Sequence, residues 1–159
     1  LSEKEREKFK DFRHAVSYKV NEYISRKGIR KVGTDVAVPN ENFNELYFYS
    51  KQIVEKENLN YIAYGHFGDN HLHLNMLPDG EAEYRSAKNI YREICRKAVE
   101  LNGTISAEHG IGKLKKEYLK LMFSQSQIKE MAEVKKRLDP NLILGSGNIF
   151  DTKNYLDDK

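Results

Sequence analysis

Three histidines lie close together in the segment GHFGDNHLHLN, residues 65–75, and their spacing suits the binding of a metal ion. If Asp69 and Asn70 form a two-residue hairpin turn, which suits both residue types, then His66 and His73 face each other on neighbouring strands. Directly opposed side chains have Cβ atoms about 5 Å apart. Two imidazoles at that separation can share one ion of zinc, iron, manganese or cobalt, and spacing alone does not choose among them.

The same register predicts that the hairpin has one apolar and one polar face, because successive side chains of a strand point to opposite sides. The apolar face is expected to pack against helices and consists of Tyr61, Ala63, Phe67, Leu72, Leu74 and Met76. The polar face consists of Tyr64, His66, His71, His73 and Asn75. One histidine on a strand is most simply a hydrogen-bonding residue without a ligand, whereas three on one face favour metal binding or catalysis.

A carboxylate that could complete a metal site occurs in the segment GTISAEHGIG, residues 103–112. Glu108 would give a two-histidine, one-carboxylate ligand set. Adjacent residues of an extended segment point in opposite directions, so Glu108 and His109 can differ in role, one binding the metal and the other moving a proton. The lysines that follow, at 113, 115 and 116, belong either to a solvated helix or to a contact with an anionic group.

The composition is that of one ordinary domain, with 159 residues, 39% hydrophobic and 32% charged. No apolar run approaches the length of a membrane span. The net charge of +3 weakly favours anionic substrates and gives little support for nucleic acid as a partner. Cys95 is the single cysteine, which excludes an internal disulfide and fits a reducing, cytoplasmic location. We expect it to be a buried filler of a helix.

Hydrophobic periodicity predicts the elements that must position these residues. Helices are predicted at 3–26, 40–57, 81–101, 113–121 and 124–138, and strands at 29–37, 59–67, 71–77 and 103–107. This order predicts an α+β fold, in which helices pack on one face of an antiparallel sheet. Residues 141–150 are expected to be extended, and residues 151–159 to form a loose C-terminal tail.

Together these segments resemble the C-terminal domain of FAD-linked oxidases, the group of D-lactate dehydrogenases, the glycolate oxidase flavoprotein subunit and D-2-hydroxyglutarate dehydrogenases. The resemblance is carried by GTDVAVP (33–39), GHFGDNHLHLN (65–75), GTISAEHGIG (103–112) and LDPNLILGSGNIF (138–150). It implies that residues 1–150 form a ferredoxin-like cap domain over the flavin of an N-terminal FAD-binding domain. The chain would then be part of a longer flavoenzyme that oxidises a 2-hydroxy acid, such as glycolate or D-lactate, and would lack turnover alone.

The resemblance also implies roles for the residues of the two histidine-containing motifs. His66, His73 and Glu108 would hold a divalent metal that binds the hydroxyl and carboxylate of the substrate. His109 would take the hydroxyl proton as hydride moves to the flavin, since a metal lowers the hydroxyl pKa and a neutral imidazole can then accept the proton.

Further residues are implied to bind the substrate. Arg13 and Ser17 share a helix face and match an arginine and hydroxyl pair that binds carboxylate, and Asn75 matches a substrate contact. The usual hairpin has asparagine where His71 stands, so we predict His71 as an added substrate contact, with metal ligand or base as its other possible roles.

The family precedent also implies an iron–sulfur partner subunit and peripheral attachment at the inner face of a membrane. Two other functions fit the same residues. One is a self-contained metal-dependent hydrolase that uses the same ligands. The other is a non-catalytic binding or assembly module whose histidines are structural.

Overall fold

A computed structural model describes residues 2–156 of the chain and has the predicted α+β architecture. The helices are α1 (Glu3–Lys27), α2 (Phe43–Lys56), α3 (Glu81–Glu100), α4 (Leu119–Met122) and α5 (Gln125–Leu138). The strands are β1 (Val32–Gly33), β2 (Val36–Ala37), β3 (Tyr61–Tyr64) and β4 (His71–Met76). Within residues 2–156, no helix combines the length and the apolar character needed to cross a membrane.

Strand β4 is the centre of the antiparallel sheet. It pairs with β3 on one side, and with β1 and β2, which follow each other in a single register, on the other. The strand predicted at 103–107 is reduced to one bridge, in which Thr104 pairs with Ala37. Residues that precede the Glu-His pair are thereby attached to the outer edge of the sheet.

The predicted strand at 29–37 is interrupted at Thr34, whose hydroxyl enters the ladder of hydrogen bonds. The backbone N–H of Leu74 donates to Thr34 Oγ1 at 2.9 Å, and this hydroxyl donates to the carbonyl oxygen of Leu72 at 3.2 Å. The hydroxyl therefore takes the place that the Thr34 carbonyl would occupy in a regular antiparallel pair. That carbonyl is free to accept another hydrogen bond.

Helices α2 and α3 cover the apolar face of the sheet, as predicted. Leu72, Leu74 and Met76 of β4 are at most 1% exposed and join the buried face of α3 in the main core. Cys95 lies in that core, where burial raises the pKa of its thiol to about 11, in agreement with a filler role. Helix α1 differs, because Val20 is its single buried residue among the apolar positions predicted to form a face.

The predicted register of the histidine hairpin is wrong by two residues. His73 lies opposite Tyr64 and not opposite His66. The connection is longer than a two-residue turn because residues 67–69 form a 3-10 turn that Asn70 ends in the left-handed conformation, at φ 55°. A shift of two residues keeps every strand residue on its predicted face, but Phe67 leaves the sheet and is 45% exposed.

The C-terminal part is more compact than predicted. Helix α5 follows the capping box of Ser124 and begins one residue after its predicted start, whereas the helix predicted at 113–121 is replaced by a 3-10 turn and the short α4. Residues 141–150 are not extended, since Leu142 and Ile149 adopt positive φ. Phe150 and Thr152 are buried, so the tail is not loose up to residue 156, and its last three residues lie outside the described part.

The hairpin allows a matched test with two glycines. A Cβ at Gly65 would overlap the carbonyl oxygen of His71, whereas one at Gly68 would meet open space. We expect Gly65→Ala to lower the free energy of unfolding by about 1–3 kcal/mol, the usual cost of overpacking. Gly68→Ala should change it by less than about 1 kcal/mol. Urea denaturation of both variants measures the difference, and equal effects would contradict the described hairpin.

Candidate active site

The buried carboxylate of Asp35 fixes the loop that carries Glu108 and His109. Asp35 lies between β1 and β2 and is 1% exposed. Its oxygens accept hydrogen bonds from the backbone N–H groups of Glu108 at 3.2 Å and His109 at 3.0 Å, and from Ser106 Oγ at 3.1 Å. Lys115 Nζ also donates to it, at 2.7 Å. The loop is therefore held to the interrupted strand by its backbone and by two side chains.

Asp35 is ionised in this setting. Burial alone would raise the pKa of its carboxyl group, but hydrogen bonds from Lys115 and from the backbone of His109 outweigh burial and hold the pKa well below its usual range. An ionised carboxylate can only accept hydrogen bonds. Every group that contacts it must therefore present a proton.

Two histidines of β4 have their tautomers set by neighbouring acceptors. His71 Nε2 lies 3.0 Å from Asp35 Oδ1, and His73 Nδ1 lies 2.9 Å from the carbonyl oxygen of Thr34. Both partners only accept, so these two nitrogens carry the protons. In the neutral rings the lone pairs then lie on His71 Nδ1 and His73 Nε2. Hydrogen bonds of this kind orient imidazoles that bind metal ions.

The carboxylate of Glu108 lies among the three imidazoles. Its oxygens are 3.2 Å from His66 Nε2, 3.4 Å from His71 Nδ1 and 3.5 Å from His73 Nε2. Ligands placed tetrahedrally at the usual zinc distances of about 2.1 Å are separated by about 3.4 Å from one another. His71, His73 and Glu108 could therefore hold a divalent cation, since their ligand atoms lie within 4.8 Å of one another. His66 is outside this group of mutually close atoms and approaches it through Glu108.

Asp35 also lies within reach of this cluster, since atoms of Asp35, His71, His73 and Glu108 are all within 4.8 Å of one another. Its oxygens already accept five hydrogen bonds, and these orient the groups around it. Asp35 was not among the site residues predicted from the sequence. The available signal was an acidic residue inside a segment that otherwise reads as a buried strand, GTDVAVP.

A cavity of about 800 Å³ opens beside the cluster. Its lining includes most of the predicted site residues, namely Arg13, Ser17, His66, His73, Asn75 and His109. Asn75 is 4% exposed, and its Nδ2 has no hydrogen-bond partner within residues 2–156, so an amide donor is available to a bound molecule. His109 stacks on His73 with ring centroids 5.0 Å apart and has a side chain that is 63% exposed.

His71 lies apart from this lining. It was predicted as a substrate contact, but it is 3% exposed and contacts Asp35 and Glu108 instead of the cavity. The reason is its position on β4, where the interrupted strand and the loop of residues 106–109 cover it from two sides. The polar contacts of the His71 ring are therefore with Asp35 and Glu108.

Comparisons with known proteins identify the family of the chain. The chain belongs to the family of FAD linked oxidases, C-terminal domain, whose profile matches residues 1–149. It is 32% identical over 118 residues to the glycolate oxidase subunit GlcD of Bacillus subtilis and 34% identical over 118 residues to a D-lactate dehydrogenase of Anaerostipes hadrus. These matches cover 73% and 72% of this chain.

A third relative is a D-2-hydroxyglutarate dehydrogenase of Xanthomonas citri pv. viticola, 40% identical over 95 residues, or 57% of this chain. The chain spans about a quarter of the length of the first two relatives and a fifth of the third.

Two adjacent lysines test the importance of the buried carboxylate. Lys115 pairs with the buried Asp35, whereas Lys116 pairs with Asp151 at the surface, where both side chains are more than a third exposed. We expect Lys115→Met to lower the free energy of unfolding by about 3–5 kcal/mol, because it leaves a buried charge without its partner. Lys116→Met should cost less than about 1 kcal/mol. Similar urea midpoints for the two variants would refute the role given to Asp35.

Proposed function

We propose that this chain is the substrate- and metal-binding cap domain of an FAD-dependent dehydrogenase that oxidises a small 2-hydroxy acid, glycolate or D-lactate, to the 2-oxo acid. The observation that carries the proposal is that Glu108 lies within 3.5 Å of both His66 and His73. These two histidines line a cavity together with Arg13. Family membership supports it, since the relatives named above are called glycolate oxidase, D-lactate dehydrogenase and D-2-hydroxyglutarate dehydrogenase.

A divalent metal held by His66, His73 and Glu108 would supply Lewis-acid chemistry, which lowers the pKa of a bound hydroxyl group. His109 is the proposed base for the hydroxyl proton. Its Nδ1 lies 3.7 Å from Asp35 Oδ2, and we assign Nε2 as the atom that accepts the proton. The stacking of His109 on His73 keeps the base beside the proposed ligands.

Arg13 and Asn75 are the proposed contacts to the substrate carboxylate and hydroxyl. A guanidinium can bind a carboxylate through two parallel hydrogen bonds, and the unpartnered Nδ2 of Asn75 can donate to a substrate oxygen. Ser17 lies one helical turn from Arg13 and adds a hydroxyl to the same wall of the cavity.

FAD would be bound by an N-terminal domain of the same protein and would supply the hydride acceptor. The surface of α1 supports a covering partner at the cavity. Phe12 lines the cavity and is 71% exposed, and Phe9 on the same helix is 63% exposed. Exposed aromatic residues next to a cavity are typical of surfaces that pack against another domain.

Flavin reduction tests the role of His109. In the intact protein we expect His109→Ala to slow flavin reduction by the preferred 2-hydroxy acid by about 10²–10⁴-fold, the usual contribution of a general base. Glycolate, D-lactate and D-2-hydroxyglutarate would be compared in a stopped-flow instrument. His14→Ala removes another exposed imidazole at the cavity and should change the rate little. Unchanged reduction in His109→Ala would reject His109 as the base, and no reduction of the unaltered protein by any of the three acids would reject the proposed function.

Arg13 can be tested by substrate affinity. We expect Arg13→Ala to weaken the affinity for the preferred 2-hydroxy acid on the order of 10- to 100-fold, because a hydrogen bond to a charged group is lost. Lys19→Ala removes a positive charge from the same helix at an exposed position and serves as the control. The rate of flavin reduction measured against substrate concentration gives the substrate affinity of each variant. Equal weakening in the two variants would assign the effect to net charge instead of a specific contact.

A further inference from the structure

We propose that His71 is a third imidazole ligand of the metal, so that this chain holds the ion with three histidines and one glutamate. The inference rests on the metal site of the proposed function and adds a ligand to it. His71 lies on β4 two residues before the proposed ligand His73, and its Nδ1 faces Glu108.

The first argument is the direction of the His71 lone pair. His71 Nε2 must donate to the ionised Asp35, which leaves the acceptor lone pair of the neutral ring on Nδ1. Nδ1 lies 3.4 Å from Glu108 Oε1. Two acceptors that face each other repel unless a proton or a cation lies between them.

The second argument is the closeness of the ligand atoms. Atoms of His71, His73 and Glu108 lie within 4.8 Å of one another, together with an oxygen of Asp35. The Asp35 carboxylate already accepts five hydrogen bonds, so the two imidazoles and Glu108 are the groups left to share a cation.

The third argument is that the neighbouring histidine has the same arrangement. His73 donates through Nδ1 to the carbonyl oxygen of Thr34 and directs Nε2 toward the other oxygen of Glu108, at 3.5 Å. The two rings are 4.2 Å apart at their centroids and approach edge to face. A single cation near Glu108 would satisfy both lone pairs. His66 Nε2 lies 3.2 Å from the same carboxylate and would join them as the third imidazole.

A count of bound imidazoles in the intact protein loaded with Co²⁺ tests the proposal directly. Each imidazole bound to Co²⁺ gives a strongly shifted proton NMR signal from its remaining N–H. The N–H groups of His71 and His73 are buried in hydrogen bonds to Asp35 and Thr34, so both signals should exchange slowly with water. His66 is 41% exposed and should exchange faster.

We expect two slowly exchanging shifted signals in the unaltered protein and one in His71→Asn. A single slow signal in the unaltered protein overturns the proposal, and so does the absence of bound Co²⁺. The count in the unaltered protein requires no variant, so it decides the matter even if His71→Asn fails to fold.

Zinc affinity gives a second readout, measured by competition with a chromophoric chelator. We expect His71→Asn to weaken zinc binding by at least about 100-fold, since even residues that only orient a ligand contribute 10- to 100-fold. Glu133→Gln removes an exposed carboxylate of α5 outside the cavity, and this control should leave the affinity unchanged. Unchanged affinity in His71→Asn would reject the third ligand, whereas flavin reduction of the unaltered protein by 2-hydroxy acids would still support the proposed function.

Discussion

The contact between the buried carboxylate of Asp35 and Lys115 is the interaction on which the candidate site depends. A charge that is 1% exposed is costly unless it is paired and fully hydrogen-bonded. Here the lysine and four further donors satisfy it. The same bonds attach the interrupted edge strand, the loop of Glu108 and the central strand to one another. The positions of His71 and of the loop that carries Glu108 and His109 are thus set by one carboxylate.

Two adjacent residues of the edge strand orient two adjacent positions of the same face of β4. Thr34 directs its carbonyl to His73 because its hydroxyl has replaced that carbonyl in the ladder, and Asp35 directs its carboxylate to His71. The interruption between β1 and β2 therefore has a structural role. Its residues Thr34 and Asp35 supply the hydrogen-bond acceptors that orient the imidazoles of His73 and His71, as such acceptors orient metal-binding histidines.

Much of this arrangement follows from the sequence, and the exceptions have physical reasons. The alternation of apolar and polar residues along β4 correctly predicts which residues share a face. A shift of one residue would expose Leu72 and Leu74, which are buried in the structure. The hairpin register was wrong because a two-residue turn and a turn containing a 3-10 segment are compatible with the same residues, Asp69 and Asn70.

The importance of Asp35 was not predictable from spacing. Its partners lie in three other segments, and a lone acidic residue in a strand does not reveal whether it is paired. The compact end of the chain was missed for a related reason. Its Phe150 packs against residues of α5 in a small second core, and such a contact leaves no periodic pattern.

The hydrogen bonds at Asp35 also bear on the order in which the chain folds. Their side-chain and backbone donors lie between 36 and 80 residues away along the sequence. Such contacts form only after long loops have closed, and proteins rich in them fold slowly. Helices α3 and α5, by contrast, consist of local contacts and can form early. The site should therefore assemble in the last stage of folding, and a partly folded chain would have helices without a reaction centre.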